Sequence, residues 1–248
     1  IEMSNVTRVP FEWLMSRGQQ IKVFSQLVYE CSRSGYIVPV FAKLGNNDGY
    51  VGATVLNAMA GGYYEPITGL DFASLYPTIR IANNLCYTTR VKGNFGDQFD
   101  IDEDEMTDED RESGFWKCIH KKHGYKAKMK RVRWMNQKEE EYEEINEETG
   151  KTEKRTIVTP VPETHYFVQT VDGNDCVGIL PKILSNLLSE RKRVKKLMAK
   201  ETDPFKKAVL NGKQLALKVS CNSVYGFCGA AVGMAPCLPI ASSTTTLG

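Results

Sequence analysis

Net charge of either sign is nearly absent from this chain. Its 32 Lys and Arg stand against 30 Asp and Glu, which leaves a formal charge of +2 over 248 residues. A polyanionic partner therefore cannot be read from the total, only from where the cations gather. Cysteine pairs are missing too. The seven cysteines are scattered, with no C-x-x-C and no Cys/His set at zinc spacing. That argues against a structural zinc and for a reduced, intracellular chain. No apolar run approaches the length of a membrane span, and the opening "IEMSNVTRVP" has no apolar core of the signal-peptide kind. What is present is an ordinary globular composition, 42% hydrophobic, 25% charged and 10% aromatic. The length permits one large domain or two modest ones. The chain begins at Ile1 rather than Met and stops at "ASSTTTLG". The expectation is a piece of a longer polypeptide, with a processed, complete domain as the alternative.

Residues 5–35 read as one helix, with Pro10 near its start and Gly35 as its stop. "YIVPVF" (36–41) and "YVGATVL" (50–56) read as short strands. An apolar strand then runs up to Asp71, followed by a turn and a helix. Residues 96–156 differ: an acidic block, a basic block at 120–133, and a mixed one. They read as an exposed insertion whose charges largely compensate one another. Strands around an Asp172–Gly173 turn follow. Two long helical patterns then form a hairpin joined by "ETDP", where Asp203 can cap the second helix and Pro204 suits its first turn.

Chemistry shows in three places. Asp71 sits at the seam of the apolar run "GLDFASLYPTIRIANNL". A carboxylate buried there needs a partner, a hydrogen bond or a metal. At a strand end it suits Mg²⁺, which takes one or two carboxylates plus substrate phosphates. The backbone N–H groups of Ser74, Leu75 and Tyr76, at a helix start, can cradle phosphate oxygens. Helix capping is the plainer role open to Asp71. On the first helix of the hairpin, Leu180, Leu184, Leu187, Val194 and Met198 share one stripe. Arg191 and Lys195 fall within it, where they either snorkel from the core edge or meet an anion. Lys192, Arg193 and Lys196 lie further round and read as solvated. On the second helix, Asn211, Gln214, Lys218, Asn222 and Tyr225 line a face opposite Val209, Leu210, Leu217 and Val224. A solvated face is one reading. Convergence of Arg191, Lys195 and Lys218 on a triphosphate is the other.

"DFASLYPTI" resembles the DxxSLYPSI signature of family B DNA polymerases, and "KVSCNSVYG" resembles their KxxxNSxYG signature. "LLSERKRVKKLMAKETDP" and "GKQLALK" are similar to the fingers of those enzymes. "VPFEWLMSRGQQIKVFSQL" and "GATVLNAMAGGYYEPI" are similar to the segments ahead of the first signature. The likeness extends over nearly everything except residues 96–156 and is strongest to polymerase delta catalytic subunits and to polymerases of large DNA viruses.

The resemblance implies a mixed α/β (α+β) fold: part of a palm with an antiparallel sheet, plus a helical-hairpin fingers subdomain. The implied divisions are palm 1–95, charged insertion 96–156, palm strands 157–178, fingers 179–235, and a return toward the palm at 236–248. It implies nucleotidyl transfer of dNTPs to a primer 3′-hydroxyl with two Mg²⁺ ions. Asp71 and the backbone carbonyl of Phe72 would serve the metals. Ser74, Leu75, Tyr76, Arg191, Lys195, Lys218 and Asn222 would bind the nucleotide, with Tyr76 as the steric gate against a 2′-hydroxyl. Tyr225 and Gly226 would pack on the nascent base pair. Implied partners are primer–template DNA and dNTPs, with a sliding clamp for the parent protein and no membrane. The expected location is the nucleus or a viral replication site, and the charged insertion favours a viral source. Thr78, Arg80 and Asn83 depart from the commoner pattern. The third signature, YGDTDS, is absent, so a second catalytic aspartate is expected beyond Gly248 and this chain by itself is expected to be inactive. A non-catalytic polymerase-like subunit, or a nucleic-acid-binding module built on residues 120–133, is the alternative.

Overall fold

The computed structural model of the chain describes residues 1–40, 52, 56–145, 152–230 and 232–248, without the side chains of 137–141, 143–145, 152–156 and 158. The single helix expected over 5–35 is instead three: α1 (Glu2–Thr7), α2 (Phe11–Ser16) and α3 (Gln20–Arg33). Pro10 explains the first break. A residue before proline is pushed out of the helical region, and α1 ends at Arg8 in a left-handed conformation, φ 58°. The second break falls at Arg17, whose extended backbone precedes Gly18. Only α3 turns a full apolar face inward, burying Val23, Leu27 and Cys31.

The strands expected ahead of Asp71 are not formed among the described residues. Residues 36–40 and 56–72 are irregular, and most of 41–56 lies outside the described residues. Gly61, Gly62, Pro66 and Gly69 punctuate the run, and a strand without a paired neighbour has no ladder to hold it. Helix α4 (Leu75–Ala82) follows.

The segment read as an exposed insertion is more ordered than its charge suggested. After the single turn α5 (Phe95–Gln98) come β1 (Phe99–Ile101), α6 (Asp108–Glu112), β2 (Phe115–His120) and β3 (Lys126–Ile145). β4 (Thr152–Val171) and β5 (Asn174–Asp175) complete an antiparallel sheet of order β1-β2-β3-β4-β5. Asp172 (φ 47°) and Gly173 (φ 79°) close the β4–β5 hairpin, both in the left-handed region that a two-residue type I′ turn needs.

The basic block codes for a strand buried on two faces. In "KAKMKRVRW" the apolar residues alternate as Ala127 and Met129, then slip by one to Val132 and Trp134. Period-2 alternation with one slip exchanges the faces. Ala127 and Met129 accordingly pack with Phe99 and Cys118 in a small core, while Val132 joins Phe167 in the main one. The charges do compensate. Lys128 pairs with Asp110 at 2.8 Å, Lys121 with Asp100 at 3.2 Å and Arg111 with Glu103 at 2.6 Å. Lys126 meets both Asp102 and Glu105.

The helical hairpin forms as expected from α7 (Ile179–Lys200) and α8 (Pro204–Gly229). The Asp203 carboxylate accepts from Phe205 N and Lys206 N, and Pro204 opens α8. The stripe residues Leu180, Leu184, Leu187 and Val194 are buried, as are Leu217 and Val224 of α8, whereas Val209 near the tip stays exposed. A last helix, α9 (Leu238–Thr246), lies against β3 and α8. No helix among the described residues is long and apolar enough to cross a membrane.

Candidate active site

The site begins at the turn into α4. Ser74 occupies its N-cap with φ 59° and ψ 50°, a left-handed conformation that is strained for a residue with a side chain. This sharp turn lifts Asp71 and Phe72 clear of the body. Asp71 is exposed and Phe72 is 78% exposed. The premise of a buried carboxylate at position 71 is thereby corrected: the irregular run before α4 leaves it in solvent, where it needs no protein partner.

Tyr76, on the first turn of α4, reaches Tyr225 of α8. The rings stack with centroids 4.4 Å apart and 22° between planes. Within α8, Tyr225 is half-buried, while Lys218, Asn222 and Gly226 are exposed. An added Cβ at Gly226 would meet no atom within 4 Å, so its side of α8 is open. Arg191 is half-buried between the hairpin helices, with Nε 3.5 Å from Gln214 Oε1. Its positive charge also reaches Cys221, whose thiol burial pushes up to about 11 and Arg191 draws down. Arg191 therefore faces the same stretch of α8 that carries Lys218. Lys195 is exposed and shares a recess with Leu188, Arg191, Lys192, Lys196 and Ala199. Lys192 and Lys196, set apart by the helical wheel, thus add to the cationic character beside Arg191. The hairpin is tied further out by Glu190, which meets Arg193 at 2.7 Å and Lys213 at 3.1 Å. Those two cations hold the Glu190 carboxyl down to about 2.

Two residues to which the sequence assigns no role organise the surroundings. Arg80 is buried and binds the backbone of α8. Asn84, φ 51°, joins three elements: its Nδ2 donates to Val168 O and Cys176 O, and its Oδ1 accepts from Gly178 N at 2.8 Å. It thereby anchors the start of α7 to the end of α4. Arg80 departs from the usual pattern, and its apolar neighbours Ile79 and Ile81 are the available signal of burial.

The first signature and the second meet at the Tyr76–Tyr225 stack, and a family model described as DNA polymerase family B matches residues 9–248. The chain belongs to DNA polymerase family B. It is 43% identical over 247 residues to the DNA polymerase delta catalytic subunit of Candida albicans, and 41% identical over 248 residues to that of Drosophila melanogaster. Each match covers 100% of this chain and 18% of the relative, so the chain spans under a fifth of those relatives' length. Among solved structures, the family B DNA polymerase from Pyrobaculum calidifontis matches 99% of this chain and 24% of its own, with a TM-score of 0.54 at 21% identity. That likeness bears on the fold alone, a mixed α/β arrangement shared within the family.

Proposed function

We propose that this chain supplies part of the palm and the fingers of a DNA-templated DNA polymerase, in a polypeptide whose other parts complete the active site. The carrying observation is the Tyr76–Tyr225 stack, which joins the two signature segments into one surface. In this reading residues 1–95 and 157–178 belong to the palm, 179–235 to the fingers and 236–248 to the return. Residues 96–156 elaborate the palm sheet, because β1–β3 extend the ladder that contains β4.

Each residue then has a task. The α4 turn presents the backbone N–H groups of Ser74, Leu75 and Tyr76 to phosphate oxygens. Arg191, Lys195 and Lys218, with Asn222, hold the incoming triphosphate from the hairpin side. Tyr76 stands where a 2′-hydroxyl would come, and Tyr225 with Gly226 lies under the nascent base pair. The primer 3′-oxygen attacks the α-phosphorus, and pyrophosphate leaves in line. Partners are primer–template DNA and dNTPs, with a sliding clamp as a partner of the complete polymerase, acting in the nucleus or at a viral replication site.

Divalent metal fits as a shared site. Among the described residues no group of three His, Cys, Asp or Glu gathers to hold an ion. One exposed carboxylate, Asp71, beside the Phe72 carbonyl is the partial donor set that Mg²⁺ accepts when phosphates supply the rest. When bound, two Mg²⁺ ions activate the primer hydroxyl and stabilise the leaving pyrophosphate. Asp71 and the Phe72 carbonyl would hold them from this chain's side.

A plain nucleic-acid-binding module at 120–133 is disfavoured, because Lys121, Lys126 and Lys128 are spent on internal carboxylates. The test is primer extension by the complete polypeptide. Asp71→Asn is expected to abolish templated dNTP incorporation while leaving DNA binding intact. Extension that survives this change would remove Asp71 from the catalytic centre, whereas no extension by the unsubstituted polypeptide would favour a non-catalytic role.

A further inference from the structure

We propose that Arg80 is a positioning residue that sets sugar selectivity by locking the Tyr76 ring against Tyr225. The inference rests on the polymerase reading above. Arg80 is only 1% exposed, so it cannot itself touch a nucleotide. It lies one helical turn past Tyr76 on α4, hence on the same face. Its Nη1 donates to Val224 O at 2.9 Å and to Cys228 Sγ at 3.5 Å. Its Nη2 donates to Tyr225 O at 3.4 Å, and its Nε to Thr244 Oγ1 at 3.0 Å. The guanidinium carbon is 5.7 Å from the centre of the Tyr225 ring.

A buried cation must be neutralised, yet these partners are carbonyls, a hydroxyl, a thiol and a ring. Helix ends supply the missing negative charge. Arg80 lies in the last turn of α4, Val224 and Tyr225 lie in the last two turns of α8, and Thr244 lies in the last turn of α9. The C-terminal end of a helix carries partial negative charge. The last turns of α4 and α9 and two carbonyls of α8, a turn before its end, converge on one guanidinium, whose planar fork can serve them.

The consequence is a two-point hold on Tyr225. Tyr76 holds its ring, and Arg80 holds its backbone. Both hands belong to α4, one turn apart, so α4 cannot roll against α8 while both are closed. With Arg80 gone, α4 loses its hydrogen bonds to the backbone of α8, so the angle of Tyr76 rests on its ring stack and its core packing, and the space beside a sugar C2′ can widen. The effect falls on discrimination between sugars and not on phosphoryl chemistry.

The test is single-nucleotide insertion by the complete polymerase containing this chain, with a dNTP and the matching rNTP, kcat and KM taken separately. Arg80→Met keeps length without donors. It is expected to lower the dNTP/rNTP ratio of kcat/KM about tenfold, equivalent to about 1.4 kcal/mol, through improved rNTP use. Arg80→Lys, a cation without the fork, recovers part of the ratio. Thr244→Val removes the hydroxyl that accepts from Arg80 and donates to Ile240 O, away from the nucleotide, and shifts the ratio the same way by less. It decides the matter if Arg80→Met does not fold. A ratio unchanged in these variants while Tyr76→Ala relaxes it would make Arg80 a packing residue only. Proportionate loss with both nucleotides would do the same. A ratio unchanged in Tyr76→Ala would instead remove the steric-gate reading, and this proposal with it.

Discussion

Arg191 and Lys218 come from different helices, and Arg191 reaches Gln214 and Cys221, the residues of α8 on either side of Lys218. Arg191 is half-buried beside Gln214, whereas Lys218 is exposed. Charge-assisted hydrogen bonds are stronger where water is excluded. Arg191→Ala is therefore expected to raise the dNTP KM of the complete polymerase more than Lys218→Ala. The loss should be about 1.5–3 kcal/mol for Arg191, the range for a hydrogen-bonded charge, and less for Lys218. Steady-state insertion kinetics check the order, and equal, negligible effects would place both side chains outside the nucleotide site.

At the scale of elements, packing at the α7 start and ion pairing on the sheet each make a measurable claim. Gly178 stands where α7 passes over Cys86. A Cβ there would lie 2.5 Å from Cys86 Cβ and 3.1 Å from Thr89 Cγ2. Gly178→Ala is expected to cost about 1–3 kcal/mol through overpacking, seen as a lower midpoint in denaturant unfolding. On the sheet, Asp110 accepts from Lys128 at 2.8 Å and from the Thr107 hydroxyl at 2.9 Å, with Lys117 at 3.5 Å. Lys128 first, then Thr107, hold its carboxyl down to about 2, against about 4 in an unfolded chain. A depressed carboxylate stabilises the fold above its unfolded value and loses that contribution as pH falls toward the folded one. Asp110→Asn should therefore flatten the fall in melting temperature between about pH 4 and pH 2. An acid limb identical to that of the unsubstituted chain would show that the pair adds nothing.

At the scale of the whole molecule, the purified 248-residue chain is expected to show no templated primer extension. In the proposed reading Asp71 is this chain's share of the metal-binding pair, and among the described residues no group of three His, Cys, Asp or Glu gathers to hold an ion. Extension by this chain, measured with labelled primer, dNTPs and Mg²⁺, would overturn that expectation. The two cores point to an unequal response to damage as well. The main core draws on α3, α4, α7, α8 and α9 with Val132 and Phe167 of the sheet, whereas the smaller one joins the sheet to Val91 and to Phe95 of α5.

Sequence by itself determined the local, periodic features. The α7–α8 hairpin, its Asp203 cap, its buried leucine stripe and the Asp172–Gly173 turn all rest on spacing within a few residues. The two signatures were legible for the same reason, as contiguous strings. What only tertiary structure decided was long-range. Pro10 reads as a helix start over residues 5–35 but acts as a break, and the apolar run before Asp71 reads as a strand although no neighbour among the described residues pairs with it. The basic block hid a strand, because its lysines masked an alternation whose faces exchange after Met129. Arg80 reads in the sequence only as a departure from the commoner pattern. Burial and the convergence of α8 carbonyls and an α9 hydroxyl, set by residues far along the chain, turned it into the clamp beside Tyr76 and Tyr225. Local spacing carries no information on which distant helix end will arrive, and that is why the clamp had to be seen in three dimensions.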